Sequence, residues 1–249
     1  MSSFRLRLLA SGALALSLAF VATALASSQF TASVQFSYLS QKPHASSGLH
    51  TVISWSDPGE PFGKPKAVKR FRFQFPAGAR LDTRALPACK ASDSKMLRLG
   101  PRACPPATKL GSGSTQAIAG PGIAFQTVVT LFNARKQIIV LVQVNGRILT
   151  EFRDTVERRT LTVNTAIPAG ISLTHLDITI PAHSRTIPAH SRKRGRGRGK
   201  RFSYFRTPST CPAAGSWTTA VTFDYVDGSS QTLTSATPCA PSTRSAARR

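Results

Sequence analysis

Glu151-x-x-Asp154-x-x-Glu157 is the one acidic cluster in a chain that has only ten acids. Two carboxyl groups about 5–9.5 Å apart are what glycoside hydrolysis requires. The spacing argues against that use. On a strand, positions three apart face opposite ways, and positions six apart share a face about 20 Å from each other. Glu151 and Glu157 are the pair that a secreted jelly-roll polysaccharide hydrolase would use; the plainer reading is a solvated strand end pairing with Arg153, Arg158 and Arg159.

Other reactive residue types lack convergent partners. His50 and His175 fall in predicted strands, and His44, His183 and His190 in loops, with no His-x-His or Ser/His/Asp arrangement in sequence. Ser112 and Ser114 sit in Gly-Ser-Gly-Ser rather than a G-x-S-x-G elbow. Asp224-x-x-Asp227-Gly228 lacks the alternating oxygen ligands of a calcium loop and reads as a hairpin turn. The four cysteines have neither zinc spacing nor a nearby histidine. No catalytic, cofactor or metal site emerges, and the expectation is a chain that is not an enzyme.

One feature carries functional content. Arg185, Arg192, Lys193, Arg194, Arg196, Arg198, Lys200 and Arg201 place eight bases and no acid within 17 residues. Arginine suits bidentate contact with phosphate-like anions. The run follows a tandem repeat, Thr-Ile-Pro-Ala-His-Ser-Arg at 179–185 and again at 186–192. A seven-residue copy inside a packed strand would shift its facing, so the expectation is an exposed, disordered loop over about 182–201. It reads either as a tolerated insertion or as a polyanion-binding segment.

The N-terminus says where such a loop would act. Arg5 and Arg7 precede an apolar stretch, Leu8–Val21, and Ala24-Leu25-Ala26 is a small-x-small cleavage site. Residues 1–26 therefore read as a signal peptide, with no transmembrane span expected afterwards. The net charge of +23 becomes +21 once the two leader arginines leave. Such a charge favours anionic partners through a salt-sensitive field. Outside the cell these are an anionic cell-wall polymer or an acidic polysaccharide, and intracellular nucleic acid is not expected. Four cysteines in an exported chain read as two disulfides. Neighbours along the chain suggest Cys89–Cys104 and Cys211–Cys239, and the other two connectivities stay open.

The elements that would position these residues are strands. Trp217, Thr219, Val221, Phe223 and Tyr225 share one face of a period-two run, Asp227-Gly228 turns it, and Gln231–Thr237 returns. Further strands are predicted at Ser33–Leu39, Leu49–Trp55, Ala67–Phe75, Thr115–Ile118, Ile123–Phe132, Gln137–Val144, Arg147–Phe152, Leu161–Asn164, Leu173–Ile180 and Phe202–Phe205. Asn145-Gly146 is the strongest hairpin signal. Between 81 and 111 lies an irregular excursion with a helical turn around Ser92–Leu99. The fold class is all-β: an antiparallel β-sandwich, jelly-roll or Ig-like, with two local disulfides and one long basic loop. The sandwich is preferred to a barrel because Gln137–Val144 reads as buried on both faces. Residues 27–239 form one domain, and 240–249 a disordered basic tail.

Several local patterns line up across residues 66–239: Pro76-Ala77-Gly78, Leu86-Pro87-Ala88-Cys89, Cys104-Pro105, Leu110-Gly111-Ser112-Gly113, Cys211-Pro212, Gly215-Ser216-Trp217 and Pro238-Cys239. Together they resemble a group of uncharacterised secreted β-rich proteins of high-GC Gram-positive (actinobacterial) bacteria. The resemblance implies an exported β-rich domain with two local disulfides, and the Arg/Gly-rich stretch at 182–201 departs from it. The function expected is a non-catalytic structural or binding module, secreted and associated with the cell envelope, that contacts an anionic polymer through the basic loop. Beside the hydrolase stands a neutral glycan-binding module, which would need Trp55 or Trp217 at the surface.

Overall fold

The structure, a computed structural model, describes residues 30–187 and 199–240. The predicted signal peptide, the basic-run residues Arg192, Lys193, Arg194, Arg196 and Arg198, and residues 241–249 lie outside the described residues. In chain order the elements are β1 (Thr31–Tyr38), β2 (Ser46–Ser47), β3 (Leu49–Ser56), β4 (Val68–Gln74), β5 (Arg80–Leu81), α1 (Asp93–Leu99), β6 (Lys109–Ala119) and β7 (Ile123–Ala134). There follow β8 (Gln137–Val144), β9 (Arg147–Val156), β10 (Thr160–Asn164), β11 (Ile171–Ile180), β12 (Ser184–Ile187), β13 (Lys200–Ser203), β14 (Phe205–Arg206), β15 (Ser216–Tyr225) and β16 (Ser230–Pro238).

Eleven of these make one antiparallel sheet in the order β1-β3-β11-β6-β7-β8-β9-β10-β4-β15-β16. The sheet curls until its two edges meet, giving a nearly closed body between sandwich and barrel. No ladder joins β1 to β16. Side chains close the gap: Ser235 Oγ accepts from Phe36 N–H (2.9 Å) and donates to Phe36 C=O (3.1 Å), and Thr237 Oγ1 donates to the same carbonyl (2.9 Å).

Period-two burial produces the walls. In β15 Trp217, Thr219, Val221, Phe223 and Tyr225 all point inward and are buried, as the alternation predicts. The turn at Asn145-Gly146 is made with positive φ at both residues, 49° and 77°, which fits the primed hairpin turns matched to sheet twist. Gly111 and Gly113 let β6 lie close against β11, since a Cβ at either would run into the Thr179 or Asp177 carbonyl oxygen.

The excursion is clipped to the outside of the sheet. Its disulfide, Cys89–Cys104, joins Met96, Phe132, Ala134, Ile139 and Leu141 in a second core beneath α1. Asn133 on β7 holds it: its side-chain NH2 sits within hydrogen-bond reach of the carbonyls of Thr83, Leu86 and Pro87, and its main-chain carbonyl accepts from Cys89 N–H. Hence β8 is buried on both faces over Ile138–Leu141, while Gln137 and the last three residues, read from the sequence as buried too, are half-buried. The second disulfide, Cys211–Cys239, ties the loop before β15 to the end of β16.

The two ends of the body differ. One carries the hairpin turns at 120–122, 145–146 and 226–229. The other is plugged by a three-stranded ribbon, β2-β14-β5, which sets Tyr204 and Phe205 fully buried beneath it. Phe205 stacks on Tyr38 (5.0 Å between centroids) and meets Phe75 edge-on (5.4 Å).

Replacing both edge-closing hydroxyls, Ser235→Ala with Thr237→Ala, leaves Phe36 N–H and C=O without partners. At about 1–3 kcal/mol per orphaned group, urea denaturation is expected to show a loss of about 2–6 kcal/mol. A loss below about 0.5 kcal/mol contradicts side-chain closure of the sheet.

Candidate functional site: a hollow in the barrel wall

The interior is filled unevenly. Between β1-β3 and β4-β15 it is solid with aromatics: Trp55 lies against Phe71 and Phe223, and Tyr38 against Phe36 and Trp217. From β6 through β11 in chain order the inward residues are mostly aliphatic or Thr, and together with Phe36, Phe71, Phe73 and Phe75 they do not fill the span. They leave a cavity of about 140 Å³. Ala117, Thr127, Val140 and Leu173 are among its walls and are buried. Phe125, Val142, Ile167 and Ile171, toward the hairpin end, are only half-buried, so the hollow opens that way.

Six polar side chains stand in this apolar wall: Asp154 and the threonines Thr51, Thr115, Thr127, Thr150 and Thr165. Thr115 and Thr127, paired across β6 and β7, satisfy each other at 2.7 Å. Asp154 does not have such a partner. It is the only ionisable side chain lining the cavity among the described residues, and it is 1 % exposed. The ladder between β9 and β10 has just two residue pairs, Leu161 with Val156 and Thr162 with Thr155. Where it stops, Asn164 N–H donates to Asp154 Oδ1 (3.1 Å), so the carboxyl bridges the two strands as they part. Burial pushes the Asp154 pKa up to about 8, against the smaller opposing effect of the Asn164 bond. In the plug Tyr204 has a buried hydroxyl without a partner; burial chiefly, and the Asp154 charge secondarily, push its ionisation upward.

The acidic cluster is therefore split three ways. β9 runs on to Val156, past the predicted end at Phe152, and carries Asp154 inward in phase with Phe152. Glu151 faces out beneath α1, 3 % exposed, 3.8 Å from Arg153, which also holds Asp93 at 2.6 Å. Burial first, then the Asp93 charge, raises the Glu151 pKa. Glu157 is exposed beyond the strand end. The Glu151–Arg153 pair is as expected, but Glu151 and Asp154 are buried where a solvated strand end was read. The strand between Glu151 and Glu157 keeps them about 20 Å apart.

The remaining candidates are placed as follows. Ser112 and Ser114 lie within β6 opposite Thr179 and Asp177. Asp224 is engaged by Arg70 (2.6 Å), and Asp227 by Lys66 (2.9 Å) and Ser229, as a hairpin turn requires. Trp55 and Trp217 are buried, which removes the rings a surface glycan site would need. Folding brings together two pairs that sequence spacing hides: Ser54 with His175 Nδ1 (3.0 Å) and His50 with Asp177 (3.0 Å), on adjacent strands β3 and β11. They face away from the hollow, and each pair is complete without a third group. Of the basic run, Arg185, Lys200 and Arg201 are described. They stand on the β12–β13 ribbon beside the plug, where the Arg84 guanidinium (4.6 Å) and the Lys200 ammonium (5.5 Å) both lie over the Phe202 ring.

Asp154 makes stability pH-dependent. The folded chain keeps a proton that the unfolded chain releases near pH 3.8. The stability this contributes is complete below about pH 4 and is lost as pH rises to about 8. Asp154→Asn keeps an acceptor for Asn164 N–H and does not titrate. Chemical denaturation is expected to find it equal to wild type near pH 4 and more stable above pH 8, by up to about 5 kcal/mol; a pH-independent difference contradicts the buried neutral acid. No protein-family model, curated protein or solved structure matches the chain.

Proposed function

We propose that the chain is a non-catalytic binding module of the cell envelope whose hollow barrel wall takes up a compact apolar molecule or the apolar end of a larger one. The observation that supports this is the cavity itself. It is about 140 Å³ in volume, walled by aliphatic and aromatic side chains, and opens at one end. Interiors normally pack to crystal-like density, so a void of this size forfeits contacts that a guest would restore. Dry apolar cavities of about 150 Å³ take up benzene or xenon.

The basic ribbon supports a second, compatible role. Arg185, Lys200 and Arg201, with Arg84 beside them, gather positive charge at the plugged end, away from the opening. In this reading they anchor the module on an anionic cell-wall polymer or acidic polysaccharide, leaving the opening free.

The first reading predicts that benzene raises the thermal midpoint saturably, as a native-state ligand must, and that Ala117→Phe abolishes the effect by filling the hollow. No saturable shift in wild type would sink it. For the second, retention on purified cell walls is expected to fall steeply with salt and to vanish when all eight cations of 185–201 become Gln. Equal retention of both forms assigns the ribbon no anchoring role.

A further inference from the structure

We propose that the hollow selects apolar molecules bearing an amine, with Asp154 as the group that receives the amine nitrogen. The inference rests on the cavity reading above and gives that site its ligand chemistry.

Among the described residues the wall offers a guest one ionisable group, Asp154, beside five threonine hydroxyls. A carboxyl group has about four lone-pair positions, and the structure uses one, at the Asn164 N–H. The residue is 1 % exposed and lines the cavity, so its unused oxygen can be satisfied only from within the hollow or by a group moving into it. Its neighbours on the wall cannot help. Ile138, across the ladder from Asp154, and Phe152, two residues away, are apolar, the Thr115 and Thr127 hydroxyls are engaged with each other, Thr165 donates to the Val68 carbonyl, and neither Thr51 nor Thr150 bonds to the carboxyl. The nearby Tyr204 hydroxyl is itself unpartnered and buried.

The position sets the orientation. Asp154 lies toward the plugged end of β9, and the half-buried lining residues lie at the opening. A guest therefore enters head first and leaves its apolar body against Val140, Val142 and Phe125.

The chemistry favours an amine. Burial keeps the proton on Asp154 near pH 7, an alkylamine arrives as its ammonium ion, and pairing the two releases the Asp154 proton to water and leaves an ammonium–carboxylate pair. In so dry a site the attraction within that pair is little screened. A carboxylate head would bring a second acid to a place where one already cannot ionise readily.

Toluene, benzylamine and benzoate are matched in size to the hollow and differ in their heads. Their binding to wild type and to Asp154→Asn can be measured by calorimetry at pH 7. Asn keeps the acceptor for Asn164 N–H, so the variant retains the strand bridge. The expected result is that wild type binds toluene and benzylamine and rejects benzoate. The variant should lose at least tenfold in benzylamine affinity while its toluene affinity stays within about threefold. If the substitution weakens benzylamine no more than toluene, or if wild type binds benzoate as well as benzylamine, the amine assignment is wrong and the cavity reading stands. If wild type binds neither toluene nor benzylamine, the cavity reading falls and this inference with it.

Discussion

The perimeter of the sheet is the constraint on which the rest of the structure depends. About eight strands enclose an interior that side chains just fill, and the enclosed space grows with each further strand. Eleven strands closed almost completely therefore enclose more than ordinary side chains can occupy. The chain meets this excess in two ways. One half flattens and fills with aromatic rings from β1, β3, β4 and β15, in the manner of a sandwich. The other half, β6 through β11 in chain order, presents mostly Val, Ile, Leu, Ala and Thr with only Phe125 and Phe152 as rings, and stays hollow against Phe36, Phe71, Phe73 and Phe75. Sandwich and barrel are thus both apt descriptions, each of one half.

A hollow wall has to be held open from outside. The excursion between β5 and β6 does this by covering the outer faces of β7 and β8 with α1 and the Cys89–Cys104 bridge. Asn133 fixes it there through three carbonyls. With both faces of β8 covered, the wall does not depend on inward packing alone. At the seam where β9 and β10 separate, the Asp154 carboxyl takes the place of a ladder bond and keeps a proton in order to be buried there. Strand bridge and ligand contact can reside in one side chain because a carboxyl accepts at more than one position.

Most of the architecture is legible in the sequence because it depends on local rules. Inward Trp217, Val221 and Phe223, the Asn145-Gly146 turn, the Ser92-capped helix at Asp93–Leu99 and both disulfide pairings follow from periodicity, turn chemistry and neighbouring cysteines. The site is legible only in part. Asp154 could have been found by extending the β9 alternation past Phe152, which puts an acid on the buried face. Read as one of three clustered acids, it looks like solvent-facing charge. The hollow has no local signature, since it arises from strand number and from what faces what across the barrel. The Ser54–His175 and His50–Asp177 pairs are equally non-local, joining residues more than a hundred positions apart.

The central claim is that the apolar space walled mainly by β6 through β11 in chain order is a dry, occupiable hollow. Its most direct test is diffraction from crystals of the protein held under xenon pressure. The account predicts one ordered xenon site among Ala117, Thr127, Val140 and Leu173, with the surrounding strands unmoved. Side chains collapsed into that space, or a chain of ordered waters running through it to Asp154, would contradict it.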